Sequence, residues 1–253
     1  MSAPPDLTLP ADWPTGYARR VLDSVDSTLS EAARIAPDLI QPTWIMAAEQ
    51  TAARGRRGHA WATPRGNFAG TLIMPRPGGP ETAALRSFVA SLALWETCVA
   101  LTGREDAFAL KWPNDVLLRG GKLAGILLES IGPHLVIGIG VNLAHAPAAK
   151  DVETGALRPV SLRGETGIDV TPEQFLDTLA IAFERVEAQM VTYGFGPIRT
   201  AWLARAARRG EMVTARTMRD ETVGIFEDVD NAGNLILSTA KGRIAITAAD
   251  VYF

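Results

Sequence analysis

The chain has 253 residues, of which 47% are hydrophobic and 21% are charged, and its formal net charge is −3. These proportions are typical of globular proteins and exclude a disordered or fibrous chain. At about 150 residues per domain, the length predicts one large domain, or a large domain with a small one. The slightly negative charge excludes a global basic field that would draw the whole molecule onto nucleic acid or anionic lipid.

The cysteine content and the first residues bear on the compartment. The one cysteine, Cys98, excludes an intrachain disulfide and fits a reducing environment. Residues 1–16 contain four prolines and lack the basic start and apolar run of a signal peptide, so we expect a loose extension there. No window approaches about 18 uninterrupted apolar residues, so neither a transmembrane helix nor a membrane partner is expected. These features predict a cytoplasmic protein.

The first elements follow from strand periodicity and helix-capping residues. The residues from Tyr17 predict a strand, and residues 28–31 match a capping box that opens a short helix, which Pro37 ends. Residues 43–50 predict a buried strand. The glycines and arginines that follow fit neither periodicity and predict a long loop, up to a strand at 67–74.

The middle of the chain predicts one helix followed by several strands. Apolar residues recur at helical spacing over 81–102, which predicts a long core helix. Short apolar runs separated by turn sequences then predict antiparallel strands at 108–112, 116–118, 123–129 and 135–141. This order favours an α+β fold, with a mixed or antiparallel sheet flanked by helices, over strict βαβ alternation.

The character of the sequence changes at Gly210. Helices are predicted over 171–193 and 197–208, and Gly210 ends the second one. Short alternating segments with Asp-Asn-Ala-Gly-Asn and Lys-Gly turns follow, and they predict a small all-β barrel or sheet. The expected organisation is a loose extension at 1–16, a large α+β domain at 17–209 and a small β-barrel domain at 210–253.

The strongest local signal is Arg54-Gly55-Arg56-Arg57-Gly58-His59 in the predicted loop. Glycines let a backbone approach a ligand closely, and arginines supply fixed charge and planar donors for phosphate or carboxylate. The motif predicts an anionic ligand, with a solvated basic loop or a nucleic-acid contact as alternatives. It is not a Walker A motif, because no Gly-Lys-Ser/Thr follows the glycines at the required spacing.

The second signal is Lys111-Trp112-Pro113-Asn114-Asp115. A lysine at the end of an apolar strand can neutralise charge that develops on a substrate. The alternative is a hairpin corner in which Asn114 and Asp115 are turn formers and the lysine is exposed.

Two further signals are glycines inside predicted strands. Gly125 weakens its strand unless a ligand, a β-bulge or a packed helix requires close approach to the backbone. Glycines alternate with β-branched residues over 137–141, so one face of that strand has no side chains. Asn142 at its end could bind a metal or a nucleotide, or cap a turn.

Other chemistries are poorly supported. The three histidines are far apart in the sequence and form no HExxH pair. One cysteine cannot form a thiolate metal cluster, so no metal site is predicted. Cys98 lies inside the predicted long helix and is interpreted as a small core residue. Trp61 could stack on a base, although most tryptophans are packing residues.

Taken in order, EQTAARGRRGHAW, FALKWPNDV, GKLAGILLE and IGIGVNL resemble the catalytic domain of the biotin protein ligases, over Val25 through Leu143. The resemblance implies the fold of a class II aminoacyl-tRNA synthetase-like biotin/lipoate ligase domain, followed by a small SH3-like β-barrel. It implies a reaction in two steps. Biotin and ATP form biotinyl-5′-AMP and pyrophosphate, and a lysine of a biotin carboxyl carrier protein then takes the biotin. The implied partners are the carrier protein of acetyl-CoA carboxylase and those of other biotin-dependent carboxylases.

The same resemblance implies roles for individual residues. Lys111 and Arg56 are the implied catalytic residues. The implied biotin-binding residues are Ser27, Thr28, Leu29, Gln50, Arg54, Gly55, Arg56, Lys111, Gly125, Ile126 and Leu127. The implied nucleotide-binding residues are Arg54, Arg56, Arg57, Trp61, Asn114, Lys122 and Asn142. Mg²⁺ would offset the phosphate charge.

Three positions depart from the family pattern. The family commonly has Asn where this chain has Leu29, which reduces the expected biotin contact to backbone or apolar packing. Ala53 replaces a common glycine and is expected to stiffen the loop, and His59 replaces a frequent arginine and lessens the charge. These differences leave the expected reaction class unchanged.

Two alternative functions are kept. Lipoate protein ligases share the fold, so a lipoate or octanoate ligase is one alternative. A biotin-responsive regulator without ligase activity is the other, because some biotin ligases carry a DNA-binding winged helix-turn-helix. Residues 1–16 are too short for three helices, so no DNA partner is expected. By analogy, a homodimer that uses the sheet edge near the active site is also allowed.

Overall fold

The fold is described from a computed structural model of the chain. The structure describes residues 10–55, 58, 61, 63–148, 152, 157–217 and 220–252. Arg56, Arg57 and His59, which belong to the predicted ligand loop, lie outside the described residues. The described strands form a seven-stranded sheet and a five-stranded sheet.

The larger sheet is mixed. Its strands are β1 (Ala18–Val25), β2 (Thr43–Gln50), β3 (Phe68–Pro75), β4 (Phe108–Lys111), β5 (Asp115–Leu118), β6 (Gly121–Ile131) and β7 (His134–Val141). They lie in the order β1-β2-β3-β7-β6-β5-β4, with β1 parallel to β2 and the remaining neighbours antiparallel. The predicted mixed sheet flanked by helices is confirmed.

Six α-helices accompany the described strands. They are α1 (Thr28–Ile35), α2 (Pro80–Ala84), α3 (Arg86–Thr102), α4 (Leu162–Thr166), α5 (Pro172–Tyr193) and α6 (Phe195–Leu203). The helix predicted over 81–102 is therefore divided at Leu85, and α3 ends at Gly103, which has the left-handed conformation. By length and composition Pro80–Thr102 could cross a membrane, but 61% of its most apolar window is buried inside the protein, as expected of the core helix.

The smaller sheet is entirely antiparallel. Its strands are β8 (Met212–Arg216), β9 (Glu221–Val229), β10 (Leu235–Thr239), β11 (Gly242–Ile246) and β12 (Asp250–Tyr252). They lie in the order β11-β10-β9-β8-β12. Val213, Phe226 and Leu235 belong to the same hydrophobic cluster as Trp44 and Phe183 of the larger sheet and its helices. The two sheets therefore share one continuous core.

The start of the described chain differs from the expected loose extension. Trp13 is only 8% exposed and lies in the core cluster. Its indole Nε1 donates a hydrogen bond to Tyr17 O at 2.8 Å, and the Arg19 guanidinium lies 5.5 Å from its ring centroid. The expectation is wrong at this residue, because a large aromatic side chain is stabilised by burial. Residues 1–9 lie outside the described residues.

The predicted capping of α1 also needs correction. The N-cap is Ser27, whose hydroxyl oxygen accepts a hydrogen bond from Leu29 N at 3.2 Å. The hydroxyl of Thr28 donates elsewhere, to Gln50 Oε1. The α-helix ends at Ile35, just before Pro37 as predicted, and Pro37 lies in a following 3₁₀ turn (Ala36–Asp38).

Candidate active site

The two faces of the larger sheet are packed differently. Helices α3 and α5 pack on one face. On the other face, α1 covers one half, which we call the covered half. It consists of Leu29, Ala32, Ile45, Ile73 and Val136, all buried in a second hydrophobic cluster.

A row of small residues crosses the strands beside the covered half. Asp115 pairs with Gly125, Gly125 with Gly140, and Gly140 with Ala69. Directly paired residues project from the same side of a sheet, so these residues lie on one line across four strands. We call Gly125, Gly140 and Ala69 the glycine row. It forms a floor with almost no side chains.

Trp61 lies directly on the glycine row. A Cβ added to Gly140 would come within 2.3 Å of the indole Nε1, and one added to Gly125 would come within 3.3 Å of Cζ3. The backbone N of Trp61 donates to Ala53 O at 3.1 Å, which joins the two ends of the predicted ligand loop. The glycines therefore allow a planar ring to approach the sheet.

Charged groups gather at the β5 end of the glycine row. Lys111, the last residue of β4, is 8% exposed, and its Nζ lies 3.7 Å from Asp115 Oδ2. The Nζ of Lys122 lies 2.8 Å from Asp115 Oδ1 and 5.7 Å from the Trp61 ring centroid. Among the described groups of this cluster, one carboxylate lies between two ammonium groups, which gives a net positive charge. Such a partly buried cluster favours an anionic ligand, because the attraction is less screened than in open water.

Asn114 and Asn142 differ in how fully their side chains are hydrogen-bonded. The amide of Asn114 donates to Ile126 O, while Ile126 N donates to Asn114 O at 3.1 Å, so the Lys111–Asp115 turn is fixed to β6. The Nδ2 of Asn142 donates to Val160 O at 3.1 Å. Its Oδ1 is buried and accepts no hydrogen bond from the described residues. A buried acceptor of this kind is expected to meet a donor, here one that a ligand could bring.

A hydrogen-bonded polar network lies between α1 and the sheet. Thr28 donates from its backbone N and its hydroxyl to Gln50 Oε1, at 2.8 and 3.1 Å. The hydroxyl of Thr71 donates to Thr28 Oγ1 at 2.8 Å, and Gln50 Nε2 donates to Thr63 Oγ1 at 3.1 Å. Thr63 and Thr71 were not predicted from the sequence. The available signal was a threonine at the centre of an otherwise apolar strand.

Leu29 meets the sheet as an apolar group. Its side-chain carbons would lie 2.9 to 3.0 Å from a Cβ added to Gly138, so the missing side chain of Gly138 makes room for the Leu29 isobutyl group. Leu127 is paired with Gly138 and packs against the same cluster. The structure thus places Leu29 as an apolar group, and its contact with biotin stays a prediction.

Arg54 is held at the base of the predicted loop. Its Nη2 lies 2.7 Å from Glu129 Oε2, and its Nη1 donates to Ser30 Oγ at 3.3 Å. Gly55 follows directly. This ion pair links the loop to β6 and α1, and it is partly exposed, so its contribution to stability is small.

Known proteins resemble the chain over nearly its whole length. Residues 21–142 match the biotin/lipoate A/B protein ligase family, and residues 210–253 match the biotin protein ligase C-terminal domain. Together with the fold and the site, these matches define the class: the chain belongs to the biotin protein ligase family.

Individual relatives are consistent with this class. The biotin–[acetyl-CoA-carboxylase] ligase of Paracoccus denitrificans is 55% identical, over 92% of this chain and 99% of that protein. The bifunctional ligase/repressor BirA of Bacillus subtilis is 30% identical, over 91% of this chain and 71% of that protein. The structure of Aquifex aeolicus biotin protein ligase in complex with biotin and ATP superposes with a TM-score of 0.82, at 23% identity, over 92% of this chain and 97% of that one.

Proposed function

We propose that this chain is a biotin–[acetyl-CoA-carboxylase] ligase. A carboxylate oxygen of biotin attacks the α-phosphorus of ATP, the bond to the β-phosphate oxygen breaks, and pyrophosphate leaves. The amine of a carrier-protein lysine then attacks the acyl carbon of biotinyl-5′-AMP, AMP leaves and a proton is released. The observation that carries the proposal is the glycine row, which has no large side chain of its own and is faced by the Trp61 ring. It lies between a neutral polar network and two lysines, the buried Lys111 and the partly exposed Lys122.

The neutral end of the floor suits biotin. The ureido ring of biotin is uncharged and has both donors and acceptors, as does the network of Thr28, Gln50 and Thr71. Leu29 supplies an apolar wall, and the backbone of Gly125, faced by the Trp61 ring, supplies a surface without a side chain of its own. Such sites are largely apolar, with a few well-placed polar groups that fix orientation.

The charged end suits the phosphates. Charge shifts from the biotin carboxylate to the phosphate oxygens as the α-phosphorus is attacked, and a preformed cation stabilises that charge. Lys111 supplies the cation, while Asp115 fixes both Lys111 and Lys122. Arg54 and Arg56 are proposed to retain the adenylate, since hydrolysis of the mixed anhydride would waste it.

The nucleotide base is proposed to lie near Asn142. The unsatisfied Oδ1 of Asn142 needs a donor, and the 6-amino group of adenine is one. Trp61 supplies an aromatic face on the same side of the sheet.

The described residues form no dedicated Mg²⁺ cage. Within the described ranges, no group of three His, Cys, Asp or Glu side chains could hold a metal ion. We propose that Mg²⁺ arrives with ATP as part of the substrate, bound mainly by phosphate oxygens and water.

The remaining proposals concern organisation and compartment. We propose a catalytic unit at 17–209 and a C-terminal unit at 210–253. A cytoplasmic location is supported by the cysteine content, because the one cysteine, Cys98, forms no intrachain disulfide. The proposed partner is the apo carrier domain of acetyl-CoA carboxylase.

A two-step assay tests the function. The purified protein is incubated with biotin, α-labelled ATP and an apo carrier domain, with lipoate and octanoate in parallel reactions. We expect biotin-dependent adenylate and, after the carrier is added, biotin on the carrier lysine. Adenylate formed only with lipoate or octanoate would replace the proposal by the alternative ligase, and no adenylate with any acid would refute the ligase function.

A further inference from the structure

Lys111 lies between two residues that are both bonded to the C-terminal part of the chain. The first is Leu110, on β4, the last strand of the larger sheet. Leu110 N donates to Arg205 O at 2.9 Å, and Ala207 N donates to Leu110 O at 2.8 Å. The segment that leads from α6 to the smaller sheet therefore pairs with the strand that carries Lys111.

The second flanking residue is Trp112. It is 3% exposed, and its indole Nε1 donates to Gly233 O at 3.0 Å. Gly233 lies in the turn between β9 and β10, which spans 230–234 and belongs to the smaller sheet. This hydrogen bond joins the turn after Lys111 directly to that sheet.

The 230–234 turn is itself well fixed. The carboxylate of Asp230 accepts from Ala232 N and Asn234 N, both at 2.9 Å, and from Asn234 Nδ2 at 2.8 Å. Gly233 has φ +84°, and a Cβ there would lie 3.0 Å from Phe88 and 3.1 Å from Leu85. The orientation of the Gly233 carbonyl is therefore fixed by hydrogen bonds within the turn and by packing of the turn against the start of α3.

The start of α3 also contacts the Lys111–Asp115 turn. Ser87 Oγ donates to Pro113 O at 3.0 Å. The Lys111–Asp115 turn, which we call the lysine turn, thus meets the beginning of α3 and the 230–234 turn at one place. A shift of the smaller sheet would be transmitted to the backbone on both sides of Lys111.

We infer that the smaller sheet positions Lys111 for the reaction and that Trp112 is a positioning residue that acts through its hydrogen bond to Gly233. The inference rests on the proposed function, because it assigns an effect on adenylation. Catalysis by a fixed charge depends on its placement, so a small displacement of Lys111 lowers the rate of the chemical step more than it weakens substrate binding.

The chain offers a matched control for the test. Trp202 is 1% exposed, and its Nε1 donates to Ser91 Oγ at 3.0 Å, so Trp202→Phe removes the same group at the same depth. That hydrogen bond joins α6 to α3 and does not contact the lysine turn. Trp112→Phe and Trp202→Phe are compared in single-turnover adenylation, with the KM for biotin and ATP and the melting temperature.

We expect both variants to lower the melting temperature, and only Trp112→Phe to slow adenylate formation, by about 10- to 100-fold with little change in KM. Equal rate constants for the two variants would overturn the inference. If wild-type protein forms no adenylate, the proposed function fails instead, and the two failures are thereby distinguished.

A milder variant keeps the test open if Trp112→Phe does not fold. In Asp230→Asn, an amide NH₂ group takes the place of the carboxylate oxygen that accepts from Asn234 Nδ2. The change loosens the 230–234 turn and leaves Trp112 and Lys111 themselves unaltered. A lower adenylation rate constant at unchanged KM supports the inference, and a rate constant equal to that of wild type overturns it.

Discussion

The face of the larger sheet on which α1 packs has two halves, and they differ in the groups that they bury. The covered half is filled by aliphatic side chains beneath α1, which stabilise the fold. The glycine row beside it has no large side chain of its own, is faced by the Trp61 ring, and ends at Lys111, Asp115 and Lys122. One sheet thus stabilises the protein with one half of a face and leaves the other half available for a ligand. Substitutions in the two halves should therefore have separable effects on stability and on activity.

The largest effect is expected at Lys111. Lys111→Ala removes the cation proposed to stabilise charge in the transition state and should lower the adenylation rate constant by about 100- to 1,000-fold. Far-UV circular dichroism should remain that of wild type, because the covered half is unaffected. Single-turnover formation of adenylate measures the loss, and an unchanged rate constant would remove Lys111 from the proposed chemistry.

The next effect is expected on the glycine row. Gly140 has no positive φ, so Gly140→Ala is compatible with the backbone, but its Cβ would meet the Trp61 ring. The variant should stay folded and lower kcat/KM for ATP by about tenfold or more, because the floor is no longer flat. Isothermal titration with ATP and steady-state kinetics measure this effect, and wild-type values for both would show that ligand does not lie there.

Gly138→Ala is the matched change in the covered half. The new Cβ would lie 2.9 Å from the Leu29 side chain, which is enclosed by other buried groups. Overpacking should lower the free energy of unfolding by about 1–3 kcal/mol. Denaturant unfolding measures it. A larger loss of stability in Gly140→Ala than in Gly138→Ala would contradict the division of the face.

The smallest effect is a pH dependence of stability that arises in the 230–234 turn. Burial of Asp230 opposes its ionisation, but hydrogen bonds from Asn234 and Ala232 outweigh it and hold the pKa of that carboxyl below its usual value. Its contribution to stability is therefore present above the unfolded pKa of about 3.9 and is lost as the pH falls through the folded pKa. We expect the difference in melting temperature between wild type and Asp230→Asn to shrink from about pH 6 to about pH 3. A constant difference would contradict the assignment.

Local sequence features predicted most of the elements. Turn residues and apolar runs located β4 to β7, because short antiparallel strands depend on adjacent residues. The parallel pairing of β1 with β2 was not predicted, since it joins strands across a helix. The N-cap of α1 was assigned one residue late, because Ser27 and Thr28 are both good capping residues and tertiary contacts decide which hydroxyl is used.

Less of the candidate site than of the fold could be predicted from the sequence. Gly125 and Lys111 stood out locally, but the alignment of Gly125 with Gly140 and Asp115 depends on strand register. Thr63 and Thr71 have no motif that distinguishes them from other buried threonines. The bond between Trp112 and Gly233 joins residues 121 positions apart, so local patterns contain no sign of it.

A crystal structure of the protein with biotin and ATP would show whether the ligand lies on the glycine row beside Lys111. We expect biotinyl-5′-AMP across β6 and β7 on the glycine row, with Lys111 Nζ within about 3.2 Å of a phosphate oxygen. Its ureido ring should lie by Thr28 and Gln50. A ligand bound elsewhere, or a phosphate out of reach of Lys111, would contradict this placement.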